Sequence, residues 1–290
     1  MRTLSAYAVA WQASGSQTPA MAGAGRPGPG RRCHPGGVPS VASLEDLHRA
    51  VAGFSVEDLG LVIEPPALAA ARRSLDESCL LLLGEVHGVR ENPLVIRAVM
   101  LAFGLTSLAL EWDEDLAPVV RAFLGGRGLA DHPMLWSGDG RITAGHLAVL
   151  AERAAAGPLE LILFDGAVWA GWSWSQCDEA MAGRILAAAP AGTRTLVVAG
   201  NAHTPTGRTS LGVPMGARLA QQRPGVREIS ISYGGGHYYN TRPANFHRTG
   251  PQRGRPRLQE QHGALVLYLP EAREAIVPQR PWPGTVRGAP

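Results

Sequence analysis

The chain has 290 residues, 45% hydrophobic and 18% charged, which is enough apolar material for one large domain or two small ones and too much for global disorder. Its formal net charge is only +3, and although the pI is near 9.0 the arginines are scattered, so the balance does not argue for a nucleic-acid partner. Every basic residue is arginine. The lack of lysine excludes Schiff-base and P-loop lysine chemistry and, with the abundance of Gly, Ala and Pro, reads as the imprint of a GC-rich genome.

Residues 1–40 are rich in Gly, Pro, Ser and Arg without periodicity and predict a disordered tail, leaving 41–290 as a single α/β domain. The first residues, MRTLSAYAVAWQASGSQ, make a poor signal peptide because the apolar stretch is short and interrupted, and Met21 is an alternative start. Ser43, followed by Glu45 and Asp46, caps a short helix running to Val51, and Pro65–Ser74 predicts a second with proline near its start. Strand and helix then alternate. Strands are expected at Cys79–Leu83, Ser107–Leu110, Leu159–Phe164, Thr195–Ala199, Val226–Ser232 and Ala264–Leu269. Between them the apolar spacing predicts helices at Pro93–Phe103, Asp113–Leu124, Thr143–Ala155, Asp178–Ala189 and Met215–Gln221. Such alternation implies a largely parallel central sheet flanked by helices. Residues 233–262, rich in Gly, Arg and His, read as one long loop. No apolar stretch reaches the roughly 18–20 residues of a membrane helix, so no membrane partner is expected. Cys33, Cys79 and Cys177 form no CxxC pair, which points to a reducing, cytoplasmic compartment.

The chemistry-bearing residues cluster at strand ends. Glu85 and His87 follow the first apolar run, Glu111 ends the second, and His203 follows the run TLVVAG. In a parallel sheet the C-terminal ends of neighbouring strands share one edge, so these four are expected to line one cleft. Two carboxylates and two imidazoles can activate water by general-base catalysis, or bind a divalent metal that lowers the pKa of water. Asn201 and Asp165, also at strand ends, and Trp172, in a run with Trp169 and Trp174, are candidates for substrate binding. His237, after another strand, is a further candidate for the cleft. Taken singly, each has an ordinary structural use: tryptophans pack cores, and an acid after a strand can simply oppose the dipole of the next helix.

The segments GEVHG, ENPLVIRAVM and LALEW resemble the first half of the erythromycin esterase family, whose wider superfamily includes the Tiki/TraB proteases and ChaN-type haem-binding proteins. LILFDG, the acidic-Met helix start at Asp178, VVAGNAHT, PMGARLA and ISISYGGG follow in the family's order, so the resemblance spans residues 79–240. It implies an α/β fold and a hydrolase for an ester, lactone or related acyl bond of a small molecule or peptide. His87 would be the general base, Glu85 and Glu111 would orient and charge-stabilise it, and His203 would polarise the carbonyl. The esterases imply no cofactor, whereas Tiki-type members imply a divalent metal on Glu85, His87, Glu111 and His203. The scaffold also leaves open peptide or secondary-metabolite tailoring, or haem binding without turnover. Cys177 stands where the family often has arginine, and the chain is shorter than the macrolide esterases, so the resemblance does not carry the macrolide substrate.

Overall fold

Runs such as LLLLGE and TLVVAG form strands because they are short, apolar throughout and bounded by glycine or polar residues, which suits burial on both faces of a sheet. The computed structural model describes residues 40–166, 172–189, 192–246 and 254–280; except for Ser40, the tail expected at 1–40 lies outside them. In chain order the elements are β1 Ser40–Val41, α1 Leu44–Ala52, β2 Val62–Ile63, α2 Pro65–Ser78, β3 Leu80–Glu85, α3 Asn92–Phe103 and β4 Ser107–Asp113. They continue with α4 Ala117–Ala122, α5 Ala144–Ala156, β5 Glu160–Asp165, α6 Trp174–Ala188, β6 Thr195–Gly200, α7 Met215–Gln222 and β7 Arg227–Tyr233. The last are β8 Gly236–Asn240, β9 Arg242–Phe246, β10 Arg257–Gln261, β11 Ala264–Leu269 and β12 Val277–Pro278.

Eight strands form one sheet in the order β2-β10-β11-β7-β3-β6-β4-β5, and every neighbouring pair except β10–β11 is parallel. The expected mostly parallel sheet flanked by helices is therefore the fold. All residues of β3, β4 and β6 are buried. Their side chains meet α6 and α7 in a core that includes Leu80, Leu82, Phe164, Ile185, Val197 and Leu219. Helices α1 and α3 each pack against α5. The chain lays down β4 two places from β3, and β6 later fills the position between them.

Three segments depart from expectation. Cys79 does not begin β3; it ends α2 in the left-handed region (φ 61), its N–H donating to Leu75 O. Asp113–Leu124 is not one helix. Asp113 closes β4, and its carboxylate accepts the Asp115 N–H, capping a 3-10 turn at Glu114–Leu116 before α4 begins. The stretch 233–262 contains the hairpin β8–β9 and then β10. Thr241, at φ 58, makes the one-residue link between β8 and β9, and Phe246 stacks on Tyr233 and Tyr238. Interspersed arginine, proline and asparagine hid that alternation.

Gly88 joins this hairpin to the central sheet. Its N–H donates to Gly140 O (3.0 Å) and its carbonyl accepts from Tyr239 N and Ala275 N (3.0 Å each). At φ +74 a Cβ would lie 1.6 Å from Tyr239 O, so only glycine fits. The Gly88→Ala variant should lose at least about 2 kcal/mol of stability in urea denaturation, from left-handed strain and forced displacement of β8. A variant as stable as the wild type would show that β8 does not depend on this approach.

Candidate functional site

Parallel pairing sets the ends of β3, β6, β4 and β5 along one edge. Glu85 pairs with Gly200 across β3–β6, and Leu110 with Val198 across β4–β6. Between Leu110 and Asp113 the β4–β5 register slips, with one extra residue on β4, and Glu111 lies on that bulge.

Glu111, 8% exposed, is the hub. Its Oε2 accepts the Gly200 N–H at 2.6 Å and lies 3.9 Å from His87 Nε2. Its Oε1 lies 3.8 Å from His203 Nε2 and 3.5 Å from Arg141 Nη1. The absence of a side chain at Gly200 makes room, since a Cβ there would sit 2.9 Å from His87 Nε2. Each imidazole is held from behind. His87 Nδ1 donates to Glu85 Oε1 (3.2 Å), which leaves Nε2 toward Glu111. His203 Nδ1 donates to Asp178 Oδ1 (2.8 Å), an oxygen that also accepts the Met215 N–H (2.9 Å). Trp174 stacks on the His203 ring with centroids 4.5 Å apart. Glu85, His87, Glu111 and His203 therefore share one site, as their strand-end positions predict.

The other candidates are placed differently. Asp165 enters the cluster through an ion pair with Arg141. Asn201 has an exposed side chain, while its N–H ties the end of β6 to Glu85 O (2.9 Å). Trp172 is 40% exposed ahead of α6, and Trp169 lies outside the described residues. His237 is exposed on β8, and its Nδ1 bonds Asn245 Oδ1 across the hairpin (2.5 Å). Among the described residues, no three His, Cys, Asp or Glu side chains are arranged to hold a metal ion.

Strand-end reasoning missed Asp139, Arg141, His146 and the partnership of Asp178 with His203. Arg141 pairs with Asp139 (Nη2–Oδ2 2.7 Å) and Asp165 while approaching Glu111. These residues come from the turn SGDGR, which follows no strand. Its one signal was the pair of glycines at Gly138 and Gly140, both at positive φ, around Asp139. His146, on the first turn of α5, lies 3.9 Å from Glu85 through Nε2.

The charges bias the protonation states. Burial alone would lower both imidazoles of the cluster, but it is outweighed at His87 by the hydrogen bond to Glu85 and the charge of Glu111. At His203 the charge of Glu111 and the bond to Asp178 outweigh it, so both histidines sit above 6.5. Burial opposes the charge on Glu111, but His203, His87, Arg141 and the Gly200 N–H hold its carboxyl below the usual range. Burial and the Glu111 charge hold Asp165 above its ordinary value despite Arg141. His146, buried without a compensating bond to a carboxylate, is lowered. Cys177, beside Asp178, is pushed up to about 11 by burial first and then by Asp165 and Asp178, which keeps it a thiol.

No family model and no curated protein sequence matches the chain. Solved structures do. A succinoglycan biosynthesis protein superposes with a TM-score of 0.52 at 12% identity, covering 80% of this chain and 98% of that one. A structure described as bacterial protein toxins gives a TM-score of 0.42 at 20% identity, covering 66% of this chain. The toxin effector domain RRSP from Vibrio vulnificus gives 0.40 at 19% identity, covering 65%. This chain spans 42% and 38% of the length of those two toxin structures. The first likeness shows a shared α/β fold. No helix among the described residues is long and apolar enough to cross a membrane.

Burial disfavours the charged form of Asp139, but Arg141 outweighs it and holds the carboxyl at about 2, against 3.8 unperturbed. A depressed folded-state pKa contributes stability that is present above the unfolded value and lost as pH falls toward the folded one. Between pH 4 and pH 2 the wild type should therefore lose about 2 kcal/mol that Asp139→Asn does not lose, read from urea midpoints at the two pH values. Equal losses in the two proteins would show that this pair does not contribute to acid stability.

Proposed function

We propose that this protein is a hydrolase of the erythromycin-esterase-like type, acting without metal on an ester, lactone or related acyl bond of a small molecule or peptide in the cytoplasm. The observation that carries the reading is the pair of imidazoles facing one buried carboxylate, each fixed through Nδ1 by its own carboxylate. The ordered motifs from GEVHG to SYGGG add support, and the free Cys79 and Cys177 suit a reducing compartment.

In this reading His87 is neutral and His203 is an imidazolium. His87 Nε2 takes a proton from water as the water oxygen attacks the acyl carbon, and Glu85 and Glu111 stabilise the imidazolium that forms. His203 keeps Nδ1–H on Asp178 and gives Nε2–H to the carbonyl oxygen, stabilising the oxyanion. When the tetrahedral intermediate collapses, the bond to the leaving group breaks and His87 returns its proton to that group. Arg141, neutralised by Asp139 and Asp165, steadies Glu111 and does not itself bind an anion. Trp174 holds the His203 ring flat, and Trp172, just ahead of α6, is assigned to the substrate side.

A panel of aryl esters, lactones and peptides should yield at least one substrate whose kcat/KM falls about 100-fold or more in His87→Ala, with chelator leaving the wild type unchanged. Equal rates for wild type and His87→Ala would remove the role of His87, and loss on chelation would remove the metal-free mechanism. The pH profile should be a bell, rising as His87 loses its proton above 6.5 and falling as His203 loses its own. A profile flat from pH 5 to 9 would contradict the assignment of both rings.

A further inference from the structure

His146 is 3% exposed and faces Glu85 Oε2, the oxygen that does not bond His87 Nδ1. It plays no part in the steps above, yet the geometry around it is specific. Thr143, at the N-cap of α5 and fully buried, accepts the backbone N–H of His146 on its Oγ1 (3.2 Å). The same Oγ1 lies 2.9 Å from His146 Nδ1. A buried hydroxyl must place its own hydrogen, and Nδ1 is the acceptor within reach; were Nδ1 protonated, that hydrogen would have no partner. The ring therefore carries its proton on Nε2.

That N–H faces Glu85. The separation from His146 Nε2 to Glu85 Oε2 is 3.9 Å, beyond a direct hydrogen bond, and Glu85 Oε2 is buried with no hydrogen-bond partner among the described residues. A cavity of about 10 Å³ is lined by Leu110, Trp112, Val198 and Ala199 on one part and by Glu85, His87, Glu111, Arg141 and His146 on the rest. This is the size at which one water fits, and those five side chains offer it hydrogen-bond partners. Trp112 meets the His146 ring edge-on at 6.0 Å.

We propose that one internal water bridges His146 Nε2–H to Glu85 Oε2, making His146 a positioning residue that locks Glu85 so that Glu85 locks the tautomer of His87. The water accepts from His146 and donates to Glu85, so both carboxylate oxygens are satisfied: one by the water, one by His87 Nδ1–H. Glu85 is then unable to rotate, and His87 keeps its Nε2 lone pair facing Glu111 and the reaction. His146 does not touch the substrate. This proposal rests on the assignment of His87 as the base only for its kinetic consequence.

The test is long-range ¹H–¹⁵N NMR of the imidazoles in the full chain, with kcat measured on whichever ester the panel identifies. In the wild type His146 should be the Nε2–H tautomer and neutral His87 the Nδ1–H tautomer. In His146→Phe, which keeps a ring but no donor, His87 should become a mixture of tautomers, and kcat should fall about 10- to 100-fold with KM within about twofold. His146→Gln, which restores an N–H donor, should recover a single His87 tautomer and part of kcat. An Nδ1–H tautomer for His146 in the wild type overturns the proposal without any variant. So does an unchanged His87 tautomer in a folded His146→Phe. If no ester is turned over, the hydrolase reading fails, while the tautomer spectra still decide this proposal.

Discussion

The site is organised by the carboxylate of Glu111. It is buried at the end of a central strand, and burial of an unpaired charge is costly enough that its surroundings must supply compensation. They do so from four directions: the Gly200 N–H, the rings of His87 and His203, and Arg141. The three side-chain donors come from different parts of the chain, and each is tethered by a further acid: Glu85 for His87, Asp178 for His203, and the pair Asp139 and Asp165 for Arg141. The carboxylates outnumber the fixed cation, so the two imidazoles act as the adjustable charges. That surplus is the physical reason both histidines prefer to hold protons, and why they titrate as a linked set around one acid.

Much of this was legible before any coordinates. A parallel sheet follows from apolar runs alternating with amphipathic helices, and it forces strand ends together, so Glu85, Glu111 and His203 could be placed in one cleft from pattern alone. The pattern fails where local spacing stops carrying information. Arg141 and Asp139 reach the cluster from a turn whose position is set by tertiary hydrogen bonds, Gly88 N–H to Gly140 O among them. His146 lies on a helix face that would read as ordinary core. Asp178 reads as a helix start in sequence, whereas α6 begins at Trp174 behind a Ser173 cap; its partner was not legible, because nothing in sequence measures the distance between α6 and the loop after β6. The hairpin at 236–246 was lost because its strands mix arginine, proline and asparagine with aromatics, so period-two alternation does not stand out.

The departure at Cys177 also takes on a physical meaning. Where the resembling family often carries an arginine, this chain has a thiol kept protonated by burial and by the nearby Asp165 and Asp178. The guanidinium of the site is that of Arg141, which is saturated by carboxylates. The acids Glu85, Glu111, Asp139, Asp165 and Asp178 outnumber Arg141 and the two histidines, so the cluster presents negative potential rather than a free cation.

The register slip in β4 bears on how such a site changes over generations. Along a regular strand, side chains alternate sides, so the identity of the residue facing the cleft is a question of odd or even count. The extra residue between Leu110 and Asp113 resets that count only at the strand's last turn of pleat, leaving the buried half of β4 in register with both neighbours. The end of the strand and its core are thereby uncoupled: gain or loss of one residue here would take Glu111 out of its place facing the histidines without moving Leu108 or Leu110 from theirs in the sheet.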